Sequence, residues 1–213
     1  MSPRKRKTLE PVAVRVAEQA TADFAQPGTD AGAEMEARAT RAGWGGPCWD
    51  EDAAASGGVE PGEAQLLYGL VRAMKPAVVL EIGTSFGWSA LHIAAGLRDN
   101  GRGVLHTVEI HQGRREAAQA NVAAAELSEW VRFHETAPAL DAVDFAFVDA
   151  MHTAEDVRGY LALIPPNVRG LVMVHDACWE DHTARAIEGT HWKALYLPQT
   201  SYEGLALLQW VKA

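Results

Sequence analysis

Hydrophobic positions along the chain follow two alternating rhythms from residue 61 onward. Ala64, Leu67, Leu70, Val71 and Met74 recur at helical spacing, with Pro61 suited to a first helical position and Lys75-Pro76 as a stop. Val78-Val79-Leu80 then reads as a short buried strand entering a Gly/Ser turn, followed by a helix over 89–97. The alternation continues with a strand over 103–108, a helix over 114–127 and a short strand over 131–133. Phe145–Val148 and Leu171–Val174 are unbroken apolar runs, as strands covered on both faces require. Between them Val157, Tyr160, Leu161 and Ile164 mark a helix, with Thr153 placed as its cap and Asp156 three residues on. Residues 193–197 and 204–211 read as a closing pair of strands. Strands alternating with helices predict an α/β fold, a doubly wound, mostly parallel sheet of seven strands with the last pair antiparallel. The link from Thr136 to Asp141 is too short for a full helix between the third and fourth strands.

The first 60 residues obey neither rhythm well. Residues 1–10 carry Arg4-Lys5-Arg6-Lys7 and read as a disordered basic tail. Residues 11–60 form a helical and loop extension, broken at Gln26–Asp30 and ending in a loop with Trp44 and Trp49. That loop is either a lid over a pocket or an arm packed on the body. Residues 61–213 make up the regular domain.

Composition narrows the function classes. The net charge is -9 despite the basic tail, so the body would repel a phosphate backbone, and no nucleic-acid partner is expected. No apolar run is long enough for a bilayer and no secretory signal is visible, so no membrane partner is expected. Cys48 and Cys178 show neither metal spacing nor a disulfide framework, which fits a reducing cytoplasm.

Ligands of such sheets bind outside the carboxyl ends of the strands where the strand order reverses, so the first turn matters most. It reads Glu81-Ile82-Gly83-Thr84-Ser85-Phe86-Gly87-Trp88-Ser89, and the second strand ends in Glu109. Gly83 and Gly87 allow a tight turn and close approach to a ligand, and a carboxylate at Glu109 can accept both hydroxyls of a ribose. A nicotinamide-binding protein would want G-x-G-x-x-G, which is absent. Gly83–Gly87 also spells G-x-S-x-G, the nucleophile elbow of an α/β-hydrolase with Ser85 as nucleophile. His182 or His191 with Asp149 or Asp176 would complete its triad in chain order. That alternative lacks the strands and oxyanion loop expected upstream, and it leaves Glu81 and Glu109 without a role.

The stretch from Pro61 to Leu67 and the motif from Val78 to Leu91 resemble the small S-adenosylmethionine-dependent O-methyltransferases. These include the catechol and caffeoyl-CoA types and bacterial enzymes acting on natural-product sugars. The resemblance covers about residues 59–210 and is most specific between 78 and 176. It implies the class I Rossmann-like fold and S-adenosylmethionine as cofactor. By resemblance Glu81 faces the amino-acid end of the cofactor, Ser89 donates to its carboxylate and Glu109 holds the ribose. Ser85 stands where the family pattern has its middle glycine.

The fourth strand leads into Asp149-Ala150-Met151-His152 and the fifth into His175-Asp176-Ala177, so groups that bind metal or move protons converge on one sheet edge. In the resembling family the first Asp of the fourth-strand motif binds a divalent metal and the residue three further on is the general base. Asp149 and His152 occupy those positions. Asp176 matches a second ligand, whereas the third is either lost at Ala177 or changed to His175. Magnesium prefers oxygen ligands, so a switch to imidazole weakens it or favours manganese, iron or zinc. The acceptor expected is a small-molecule hydroxyl, because the Asn/Asp-Pro-Pro pattern of amine methyltransferases is absent. Trp44, Trp49 and Trp179 are candidates to line its pocket. A cofactor-binding relative without catalysis is the remaining alternative, opposed by the intact Asp149 and His152. Phenols, sugars and other natural-product hydroxyls all fit as acceptors, and a homo-oligomer is compatible with the chain.

Overall fold

The structure is a computed structural model and describes residues 59–150, 153–165, 170–198 and 204–211. The basic tail, nearly all of the 11–60 extension with Cys48 and the Trp44/Trp49 loop, the base candidate His152, and the Trp179 side chain lie outside that description.

The elements run α1 (Pro61–Met74), β1 (Val78–Ile82), α2 (Trp88–Asn100), β2 (Val104–Val108), α3 (Gln112–Ala124), β3 (Val131–His134), β4 (Phe145–Val148), α4 (Ala154–Leu163), β5 (Leu171–His175), α5 (His182–Ile187), β6 (Trp192–Leu197) and β7 (Leu205–Trp210). They build one seven-stranded sheet in the order β3-β2-β1-β4-β5-β7-β6. The first five strands are parallel, and β7 runs antiparallel to both β5 and β6. The chain moves outward from β1 to β3 and then returns to β4 on the other side of β1. The order therefore reverses between β1 and β4, and a crevice opens above their carboxyl ends.

Strand alternation divides the core into two layers. Val79, Phe145, Phe147, Leu171 and Met173 point toward α1 and α2, meeting Leu67, Leu70, Val71 and Ile93. Leu80, Ala146, Val148, Val172 and Val174 point the other way, onto Val157, Leu161, Ala186 and Trp192. Each large aliphatic side chain so buried contributes about 1.5–3 kcal/mol relative to exposure. The α2 helix is buried over its whole run from Ser89 to Leu97, which anchors the turn preceding it.

Local chemistry sets the ends of the elements. Pro61 opens α1, where Glu63 Oε2 accepts the Glu60 backbone N–H at 3.1 Å. The expected cap of α4 is present, with the Asp156 N–H donating to Thr153 Oγ1 at 3.1 Å. No helix separates β3 from β4, as the short link requires. Several boundaries differ from the pattern: α2 runs Trp88–Asn100 where 89–97 was expected, and α3 runs Gln112–Ala124 where 114–127 was expected. The β1 strand extends through Glu81 and Ile82 because both side chains are buried. The six-residue α5 helix was not expected, since one and a half turns give no readable stripe.

Candidate active site

The turn after β1 packs against the end of β4. A Cβ on Gly83 would lie 1.9 Å from the Asp149 carbonyl oxygen, so no larger residue fits there. Gly83 has φ 99° and Gly87 φ 91°, both in the region that favours glycine. Ser85 also has a positive φ of 48°. The position where the family pattern has glycine is thus left-handed in this chain, and serine bears that strain. The turn is held from behind by Asn121, whose Nδ2 donates to the Phe86 carbonyl at 2.9 Å.

Two carboxylates flank this turn. Glu81 is fully buried, with the Thr107 hydroxyl donating to its Oε2. Its Oε1 has no hydrogen-bond partner among the described residues. Burial pushes its pKa up to about 7, opposed by hydrogen bonds from Ser89 and Thr107 and assisted by the charges of Asp149 and Glu109. Ser89, expected at the cofactor's carboxylate, bonds Glu81. At Glu109, Oε2 accepts the Ser85 N–H at 2.9 Å and Oε1 the His111 N–H at 2.8 Å. This fixes the carboxylate, and each oxygen retains a lone pair for a further donor. Beside it Ile110 is 80% exposed, an apolar side chain left at the mouth of the crevice.

The second cluster lies at the ends of β4 and β5. His175 Nδ1 is 3.1 Å from Asp149 Oδ1 and 3.2 Å from Asp176 Oδ1. Its other nitrogen, Nε2, lies 2.9 Å from Glu63 Oε2 on α1. Burial works against a charged ring, but the hydrogen bonds to Asp149, Asp176 and Glu63 prevail and push its pKa up to about 12. Asp176 leaves β5 with φ 50°, a left-handed conformation that aspartate tolerates. One donor atom each from Asp149, His175 and Asp176 falls within 4.8 Å of the others. Two oxygens and one imidazole nitrogen at this spacing would fit a divalent cation only if Nδ1 gave up its proton.

The structure thus gathers Glu81, Gly83, Ser85, Gly87, Ser89, Glu109, Asp149 and Asp176 around one crevice. The hydrolase alternative does not survive the topology. An elbow needs strands before it, whereas among the described residues this turn follows the first strand of the sheet. His191 lies beside Trp210 with the rings tilted, 5.2 Å between ring centres, at the end of the sheet opposite Ser85. His182 is buried at the start of α5. The sequence reading missed Glu63 and Ile110. Glu63 had only the signature of a first-turn acid, and its partner is 112 residues away.

The fold is that of class I methyltransferases. Residues 80–177 match a family model described as a methyltransferase domain. Comparison with curated proteins finds no sequence match. Among solved structures, the S-adenosylhomocysteine-bound methyltransferase PaMTH1 of Podospora anserina superimposes with a TM-score of 0.65 at 20% identity, covering 100% of this chain and 99% of its own. The O-methyltransferase TomG of Streptomyces achromogenes, involved in tomaymycin synthesis and solved with S-adenosylmethionine, gives 0.62 at 20%, covering 90% and 94%. An O-methyltransferase from Bacillus cereus, solved with S-adenosylhomocysteine, gives 0.63 at 18%, covering 93% and 99%.

Proposed function

We propose that this protein transfers the methyl group of S-adenosylmethionine to a hydroxyl of a small molecule. The observation that carries the reading is the pair of buried carboxylates, Glu81 and Glu109, flanking a glycine turn at the switch point of the sheet. Glu109 presents two fixed oxygens to a vicinal diol, and Ile110 offers an apolar surface for a flat base beside it. The buried Glu81 Oε1 suits a cationic donor such as an α-ammonium group, with Ser89 and Thr107 orienting the carboxylate. The carboxylates around the crevice also favour a ligand that carries positive charge.

When bound, S-adenosylmethionine supplies an electrophilic methyl group on sulfur. The chain's own task is to hold the acceptor in line and take its proton. His152 is the proposed base, three residues beyond Asp149, and a neutral imidazole takes a proton near neutral pH. Asp149 and Asp176 orient the acceptor oxygen, and a divalent cation held between them would lower that hydroxyl's pKa. Residues 11–60, with the Trp44/Trp49 loop, are proposed to cover the acceptor side. Among the described residues no helix is long and apolar enough to cross a membrane. The test is methyl transfer from labelled S-adenosylmethionine to panels of phenols, sugars and amines. Labelling confined to hydroxyl acceptors supports the reading, and labelling of amines alone contradicts it.

A further inference from the structure

Arg114 and Arg115 stand in the first turn of α3, which holds no acidic residue. A helix N-terminus carries partial positive charge and favours acids, so two arginines there run against local preference. A broken local rule calls for a compensating contact, and each of the two has one beside the crevice. Arg114 lies over the Phe86 ring of the glycine turn, 6.0 Å from its centroid. Arg115 is the more deeply placed, its side chain 16% exposed, and its Nη1 donates to the Glu109 carbonyl at 2.6 Å.

We propose that Arg115 is a positioning residue for the cofactor, its guanidinium holding the Glu109 main chain so that the carboxylate keeps both oxygens aimed at a ribose diol. The inference rests on the reading of Glu109 as the ribose acceptor. Three observations carry it.

The first is how Glu109 is held. It follows the last residue of β2, and the next side chain, Ile110, is 80% exposed and gives this segment little packing. Its place therefore depends on polar contacts. The Glu109 N–H donates to the His134 carbonyl at 3.0 Å, and the carboxylate takes the Ser85 and His111 N–H groups. All of those partners are main-chain groups. Among the described residues Arg115 is the one side chain that bonds Glu109. Fixing the Glu109 carbonyl fixes the path of the chain to the His111 N–H, one of the two donors that aim the carboxylate.

The second is the cost of burying a guanidinium, which must be offset by good hydrogen bonds. Glu135, 3.6 Å from Nη2, is 71% exposed and offers a weak, solvent-screened partner. The short contact goes to the Glu109 carbonyl, and a hydrogen bond from a charged donor is roughly twice as strong as a neutral one. The third is the rigidity of the base. The Arg115 N–H donates to the His111 carbonyl at 3.0 Å, so the side chain springs from backbone already locked into α3. The same helix holds the Phe86 carbonyl through Asn121. Thus α3 grips both walls of the cradle, the glycine turn through Asn121 and the Glu109 segment through Arg115.

The test uses the full chain, with S-adenosylhomocysteine and its 2′-deoxyribose analogue as calorimetric probes. The native protein should prefer the diol roughly 10-fold, the scale of one lost hydrogen bond. Arg115→Met should weaken S-adenosylhomocysteine by a similar factor while changing the deoxy analogue little, so that the preference collapses. Arg115→Lys, which keeps a charged donor, should retain more of it than the methionine variant. Glu135→Gln, which removes only the exposed ion pair, should behave as the native protein. Thermal melts check folding. If Arg115→Met does not fold, Arg115→Gln, too short to reach the carbonyl, is read in its place. A native diol preference in the folded variant overturns the proposal. So does an equal loss of both ligands, or failure of both the Met and Gln variants to fold, because each marks a merely structural arginine. Native protein that binds both ligands but does not distinguish them would instead contradict the placing of the ribose at Glu109.

Discussion

Gly83 approaches Asp149 so closely that a Cβ added to the glycine would lie 1.9 Å from the Asp149 carbonyl oxygen. One contact therefore couples the turn after β1 to the end of β4. Backbone on both sides of the contact is fixed by β-ladder pairing, because the Asp149 N–H donates to the Ile82 carbonyl at 2.8 Å. Neither side can retreat cheaply. Gly83→Ala should lower the unfolding free energy by about 2–4 kcal/mol, combining the clash with a disfavoured φ. It should also abolish S-adenosylmethionine binding. Ser85→Gly, at a left-handed position without such a contact, should leave stability within about 1 kcal/mol of native. Urea unfolding of both variants checks the contrast. Equal stability of Gly83→Ala and the native protein would contradict the contact.

Glu81 makes stability depend on pH in a defined direction. Burial raises its pKa from 4.5 to about 7, so between these values the folded state holds a proton that the unfolded chain has lost. Stability from this group is therefore full below pH 4.5 and declines as pH rises through 7, by about 3 kcal/mol in all. The difference between native protein and Glu81→Gln, followed by urea unfolding from pH 5 to 8, isolates the effect. The variant should gain on the native protein as pH rises. Affinity for the cationic cofactor should move oppositely, tightening with pH in the native protein and staying flat in Glu81→Gln. A native profile parallel to the variant's would remove this role.

His152 is proposed as the base, and its loss should act on turnover alone. His152→Ala should reduce kcat by about 10²-fold or more on an aliphatic hydroxyl, the scale of a positioned base. Cofactor affinity should be unchanged. A phenol of low pKa needs less help, so its rate should fall less. Steady-state rates on both acceptor types give the answer, and native turnover on the aliphatic acceptor would reject the assignment.

Much of the fold was legible because its signals are local. Two unbroken apolar runs, Phe145–Val148 and Leu171–Val174, read as strands covered on both faces, and they became β4 and β5. The closing pair emerged as the antiparallel β6 and β7. The turn motif was readable for the same reason, since Glu81 through Ser89 are consecutive and Glu109 closes the next strand. Contacts between distant residues were not legible. Glu63 looked like one more acid in a first helical turn, and only the packing of α1 against the sheet brings it to His175. The α5 helix left no signal because six residues cannot show a period. Ile110 was invisible for the opposite reason, as an exposed isoleucine carries no pattern until its neighbour Glu109 is placed in three dimensions.

The central claim is that Glu109 and the glycine turn form a cofactor site, and calorimetry of S-adenosylmethionine binding tests it most directly. The native protein should bind in the micromolar range. Glu109→Ala should weaken binding by about 2 kcal/mol, roughly 30-fold, because ribose hydroxyls desolvated by the crevice would lose their acceptor. No heat of binding to the native protein, or the same affinity in Glu109→Ala, would contradict the account.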